Sequence, residues 1–175
     1  MSHPVAKTDF CDALSRFASG VVIVAARTPE GPVGFTASAF SSVSLDPPLV
    51  LVCVGKAASA YGGVMGAARF GISVLQDKQA WLARQFARSG DRFAGVPLAE
   101  GQGVPWIAGA LALLECRPHA RHAAGDHVIL VGEVVAVRIA SGKPLVHYGR
   151  ALGGFELDVA LAHANATAGA SRVES

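Results

Sequence analysis

The sequence predicts a mainly β fold, an antiparallel barrel, closed or partly closed, with two or three helices appended. Three observations predict it. Short apolar, β-branched runs recur along the chain, among them Val21–Ala26, Leu49–Val54 and His127–Ile139. Most are joined by turn residues and not by helices, which argues against an alternating parallel sheet. The length, 175 residues, suits one domain with a full core.

The elements follow in order. Residues 8–19 predict a helix: Thr8 can cap it, Phe10, Leu14 and Phe17 fall at helical spacing, and Gly20 can stop it. Val21–Ala26 is a strand apolar on both faces, and Thr28-Pro-Glu-Gly31 is a turn by composition. Val33–Phe40 and Leu49–Val54 are the next strands. A small-residue helix is expected near Ser59–Met65, followed by a strand over Arg69–Leu75. Asp77 can cap a helix over Lys78–Arg88, where Leu82 and Phe86 pair at i, i+4. The glycines and prolines of Ser89–Pro105 predict a loop. Ala110–Cys116 and His127–Ile139 read as strands around an Arg117–Gly125 connection, and Leu145–Tyr148 as a short last strand. Residues 1–157 form the expected domain. The alanine-rich stretch 158–175 is expected to be a partly mobile tail.

Composition narrows the function. Charged residues make up 16%, against about 25% in an average soluble protein, and the net charge is +2. A surface so poor in charge predicts burial in an oligomer. The arginines are dispersed, which speaks against a nucleic-acid platform. The apolar runs are far shorter than the roughly 20 residues a membrane helix needs, and the N-terminus shows no signal-peptide core, so the cytoplasm is the expected compartment. Cys11, Cys53 and Cys116 are widely spaced in apolar sequence, as buried reduced thiols would be.

Familiar chemical motifs are missing: no G-x-G-x-x-G before a helix, no P-loop, no G-x-S-x-G, no H-E-x-x-H. His119 and His122 have no carboxylate or cysteine cluster beside them and read as solvated loop histidines, so no metal site is expected. Two features stand out. The stretch Gly34–Pro48 joins small residues, hydroxyls and a double proline. Small residues let a flat ligand approach the backbone, hydroxyls can bond its polar edge, and Pro47-Pro48 should break the sheet ladder there. The same stretch also reads as an ordinary turn between strands. Gly125-Asp126-His127 opens a strand, which sets His127 at a sheet edge or barrel mouth, either facing a ligand or packing on a neighbour beside the turn.

A resemblance rests on an ordered set of segments: Phe17–Val24, Gly34–Ser38, Phe40–Cys53, Phe70–Leu75, Gly109–Cys116 and Gly125–Val134. Over residues 9–156 the chain resembles the flavin reductase family, short FMN-binding split-barrel proteins that act as reductase partners of two-component flavin monooxygenases. The resemblance implies an antiparallel split β-barrel of Greek-key type and a homodimer with flavin at its interface. It also implies an NAD(P)H:flavin oxidoreductase whose cofactors are FMN or FAD and NADH or NADPH. A separate oxygenase would receive the reduced flavin. The other functional reading is a split barrel that holds FMN tightly for electron transfer, or binds flavin or haem, without nicotinamide turnover. A pyridoxamine-phosphate-oxidase-like enzyme would need more phosphate-clamping arginines.

Site roles are implied in the same way. The flavin would lie against the strand and turn Gly34–Ser42, which bring in Gly34 and Phe35; the backbone around Thr36, Ala37 and Ser38 would meet the isoalloxazine edge, and Ser41 and Ser42 would lie near the ribityl chain or ring. Val52-Cys53-Val54 would pass beside the ring. Lys56, Ala57 and Ser59 match the phosphate-holding positions, where an ammonium, a hydroxyl and a helix start suit an anion. A solvated lysine before a helix is the other reading of Lys56. Phe86–Phe93 matches a second family segment near the flavin; Arg88 would reach the phosphate or an adenylate, with Asp91 and Arg92 ordering its loop. His127 would orient the nicotinamide without moving a proton. Tyr148 and Arg150 match the last aromatic segment, but the spacing before Gly153-Gly154 departs from the family's Leu-x-Tyr-x-Arg-Gly pattern. That departure leaves the choice of nicotinamide cofactor open.

Overall fold

The computed structural model describes residues 4–99 and 103–156. The alanine-rich stretch expected as a tail lies outside the described residues.

The chain is mainly β, with a few short helices, α1 (Lys7–Ser15), α2 (Tyr61–Gly66) and α3 (Ala80–Phe86) among them. Strands β2 (Val22–Thr28), β3 (Gly31–Ala37), β4 (Phe40–Leu45), β5 (Pro48–Gly55), β6 (Phe70–Val74), β9 (Ala112–Ala124) and β10 (His127–Ile139) form one sheet. Its order is β3-β2-β6-β9-β10-β5-β4, with every pair antiparallel. Strands β1 (Ser19–Gly20), β11 (Leu145–Tyr148) and β12 (Ala151–Gly154) make a smaller sheet, and β7 (Leu98–Ala99) pairs with β8 (Trp106–Ile107).

The large sheet curls. Phe35 and Ala37 of one edge strand share a core with Val50, Val52 and Val54 from near the other edge, along with Phe70, Ile72 and Leu130. The purely apolar run in β2 explains itself here. Val22 and Val24 face this core, while Ile23 and Ala25 face a second one against helix α3 (Ala80–Phe86) through Leu82, Ala83 and Phe86. No ladder joins the two edge strands among the described residues. Ser38 and Ala39 alone carry the chain from the end of β3 to the start of β4, and the Cys53 N–H donates to the Ala39 carbonyl at 3.1 Å. A seam is therefore left where the two ends of the sheet approach.

Several expectations are corrected. Pro47-Pro48 does not break the ladder: Leu45 pairs with Pro48, so Asp46-Pro47 is a two-residue hairpin turn to the edge strand Phe40–Leu45, and Pro48 is tolerated as the first residue of β5. The first helix, α1, spans Lys7–Ser15 and stops earlier than expected, because Ser19-Gly20 pairs with β11. Ala6, not Thr8, is its N-cap, and none of its residues is buried, leaving Phe10, Leu14 and Phe17 exposed. Asp77 does not cap the later helix. Gln76 and Gln79 form a reciprocal capping box over a short 3₁₀ turn that leads into α3. Of the Arg117–Gly125 connection, all but Gly125 is strand, so His119 and His122 lie on β9, and the hairpin closes on Gly125-Asp126 with Gly125 at φ 61°. Cys11 is exposed and Cys53 half-buried; only Cys116 is buried.

Candidate functional site

The seam opens into a cleft of about 440 Å³, within the range of roughly 300–1,000 Å³ usual for small-molecule sites. β3 lines it with Phe35, Thr36 and Ala37, the crossing with Ser38 and Ala39, and β5 with Cys53 and Gly55. Ala58, Phe86, Ala87, Arg92 and His127 complete it. Small side chains keep its walls close to the backbone, as expected of the stretch that begins at Gly34.

His127 opens β10 opposite Gly55 of β5. Its Nδ1 lies 2.8 Å from Asp126 Oδ1. The hydrogen bond and charge of His127 hold the Asp126 carboxyl below its ordinary pKa. A neutral imidazole that donates Nδ1–H to this carboxylate presents Nε2 as an acceptor. Thr36 Oγ1 donates to the Ala83 carbonyl at 2.7 Å and ties β3 to α3, so its hydroxyl is already engaged. Arg92 spans the same gap. Its Nη1 donates to the Gly34 carbonyl at 3.0 Å and its Nε to the Arg88 carbonyl at 2.6 Å.

The expected site residues divide. Phe35, Thr36, Ala37, Ser38, Cys53 and His127 come together in the cleft. Gly34 lies just behind it, and Ser59 shares an adjoining hollow with Gly34 and Arg92. Lys56 lies beside the His127 turn, its Nζ donating to the Gly125 carbonyl at 2.6 Å and its N–H to the Asp126 carbonyl at 2.9 Å. Ala57 is exposed next to it. The Val52 side chain, by contrast, is fully buried in the core, so only the backbone of that strand residue is near the seam.

Ser41 and Arg150 line an adjoining apolar groove of about 550 Å³ with Leu14, Phe17 and Phe40, which shares Ser38 and Ala39 with the cleft, and Arg150 is ion-paired with Asp12. Ser42 and Tyr148 are exposed on β4 and β11. Arg88 stands on the outer side of the α3 end with Trp81 and Arg84. Residues not anticipated in the cleft are Ala39, Gly55, Ala58, Phe86, Ala87 and Arg92. Of these, Phe86, Ala87 and Arg92 stand in the Phe86–Phe93 segment expected near the flavin, whereas Gly55 is placed only by its pairing with His127.

The donor set suits a flat aromatic ring carrying an anionic tail: an apolar slot, an imidazole at one end, and Lys56, Ser59 and Arg92 around it. Among the described residues no group of three or more His, Cys, Asp or Glu could hold a metal ion. No described helix is long and apolar enough to cross a membrane.

Residues 14–156 match the model of the flavin reductase like domain. The chain belongs to the flavin reductase family. It is 46% identical over 147 residues to an FMN reductase (NADH) of Agrobacterium fabrum, covering 83% of this chain and 84% of that protein. It is 44% identical to the reductase component of 4-hydroxyphenylacetate 3-monooxygenase of Thermus thermophilus, over 82% and 93% of the two chains. Among solved structures, the NADH:FAD oxidoreductase of Streptomyces globisporus superposes with a TM-score of 0.83 at 35% identity, over 90% of this chain and 98% of that one. A structure of that oxidoreductase in complex with NAD and FAD fragments superposes almost as well, with a TM-score of 0.82 at 36% identity.

Proposed function

We propose that this chain is an NAD(P)H-dependent flavin reductase built as a split barrel, with the seam of its curled sheet as the flavin site. The observation that carries this reading is the convergence of Thr36–Ala39, Cys53, Gly55 and His127 on one cleft in a member of the flavin reductase family. Relatives named as NADH-dependent reductases and as monooxygenase reductase components support the activity and a separate oxygenase as recipient.

When bound, flavin and nicotinamide would supply the redox chemistry, which is hydride transfer. The chain supplies position and dryness. Phe35, Ala37, Ala39, Ala58 and Phe86 form an apolar slot that would exclude water from a flat ring. The Thr36–Ser38 backbone would face its polar edge. Lys56, Ser59 and Arg92 would hold a phosphate, with Lys56 anchored by the turn it braces. His127 Nε2 can accept from a nicotinamide carboxamide and orient that ring, so the imidazole needs no proton transfer.

The homodimer belongs to this proposal. Phe10, Leu14 and Phe17 leave an apolar face beside the 550 Å³ groove, and a second copy would cover it. The mass in solution checks that part.

The decisive assay is NADH and NADPH oxidation with FMN, FAD or riboflavin added in turn. Oxidation that saturates with flavin supports the proposal. Flavin binding without oxidation by either nucleotide would replace it with an electron-carrier reading.

A further inference from the structure

The loop that follows α3 is held by the helix it leaves. Gln85, half-buried on the last turn of α3, turns its carboxamide back over the loop. Its Nε2 donates to the Arg92 carbonyl at 2.9 Å and to the Ala94 carbonyl at 3.0 Å. Between those two carbonyls, the Phe93 ring meets Phe86 edge-on, with centroids 4.9 Å apart. Asp91 Oδ1 accepts the Phe93 N–H at 3.0 Å. Gly90 and Gly95, at φ 107° and 67°, turn the chain away from helix, so the loop takes its support from side chains.

The residue fixed in this way is Arg92. Gln85 holds its backbone through the carbonyl, and two further carbonyls hold its side chain. Nε donates to Arg88 at 2.6 Å and Nη1 to Gly34 at 3.0 Å, while Nη2 has no hydrogen-bond partner among the described residues. Arg92 lines both the His127 cleft and the hollow of about 270 Å³ that it shares with Ser59. A guanidinium restrained along its whole length loses little freedom when an anion arrives. Glutamine suits the task at position 85. Its single nitrogen carries two N–H groups and reaches two carbonyls, whereas a glutamate of the same shape would donate to neither. Gln85 itself lines neither the cleft nor the Ser59 hollow.

We propose that Gln85 is a positioning residue: it fixes the Arg92 turn so that the guanidinium meets a flavin phosphate preorganised, and it thereby sets the preference for phosphorylated flavins over riboflavin without touching either. The inference rests on the flavin reductase reading and deepens it by naming what tells one flavin from another at this site.

Affinities for FMN and riboflavin are measured by flavin fluorescence on the whole chain, on Gln85→Met, on Arg92→Met and on the double variant. Gln85→Met keeps the side-chain length and the helix propensity and removes both donors. It should weaken FMN binding about fivefold and leave riboflavin binding in place. Once Arg92 is replaced, Gln85→Met should add nothing, because the two residues act as one unit. Gln85→Glu keeps the shape and loses both donors, and it gives the same reading where the methionine variant does not fold. Equal losses for FMN and riboflavin, or a Gln85→Met effect that persists beside Arg92→Met, would mean that Gln85 only braces the loop. Either result, or a Gln85→Met protein that binds FMN as the wild type does, would overturn the inference while the flavin reductase reading stands. Failure of every flavin to bind the wild type would overturn both.

Discussion

His127 and Gly55 face each other across the β10–β5 ladder, and a methyl built on Gly55 would lie 3.5 Å from the imidazole Nε2. The bare glycine keeps that nitrogen open to the cleft, while Nδ1 is engaged by Asp126. His127→Ala should therefore slow hydride transfer by about tenfold, the value of one lost orienting hydrogen bond. Flavin affinity should hardly move. Stopped-flow reduction of bound flavin reads the first quantity and flavin fluorescence the second. Equal reduction rates in the two proteins would remove His127 from the nicotinamide role.

Lys56 separates a phosphate contact from a turn brace. Its Nζ already donates to the Gly125 carbonyl, which fixes the ammonium near the cleft and leaves two donors for an anion. Lys56→Ala should weaken FMN binding by about fivefold and leave riboflavin, which lacks the phosphate, unchanged. The wild-type FMN affinity should also fall with salt more steeply than the variant's. Parallel losses for FMN and riboflavin would mean that the lysine acts only through the hairpin turn.

Much of this was legible from local pattern. β10 begins at His127 and β11 spans Leu145–Tyr148 as read, and the doubly apolar β2 run sits between two cores. What failed was what depends on partners. Thr8 can cap a helix, but the chain enters α1 two residues earlier; Arg117–Ala124 is polar because β9 runs out past the core, not because it is loop. The cleft was only half legible for the same reason. Ser38 and Cys53 stand in the segments that carry the family resemblance, whereas Arg92, Ala58 and Gly55 reach the cleft through the curl of the sheet and the placement of α3.

The three thiols should report the fold in sequence. Cys11 is exposed, Cys53 lines the cleft, and burial pushes the Cys116 thiol up to about 12, with Glu115 adding to the shift. A thiol reagent at neutral pH should modify Cys11 fast, Cys53 more slowly and less when FMN is present, and Cys116 only on unfolding. Because the native thiol keeps its proton while the unfolded one ionises near 9, this group's contribution to stability is intact below about pH 9 and falls as pH rises toward 12. Urea unfolding of the wild type should thus lose stability over that window more steeply than Cys116→Ala does. Parallel pH curves would contradict the buried-thiol assignment.

Arg69 and Glu115 form the one ion pair among the described residues with a fully buried partner. The Glu115 side chain has no exposure, Arg69 is half exposed, and Glu115 Oε2 has no hydrogen-bond partner among the described residues. The carboxylate lies on β9 opposite Gly71 of β6, so removing the guanidinium would leave a charge stranded in the sheet. Arg69→Met should cost about 3 kcal/mol, the low end for breaking a buried pair, since one partner already meets water. Changing both residues, with Glu115→Leu added, should recover most of that loss, because two apolar side chains need no compensation. Urea denaturation of the two variants tests this: a single variant as stable as wild type would show that Glu115 does not depend on Arg69, and a double variant no better than the single would show that the cost lies in packing and not in charge.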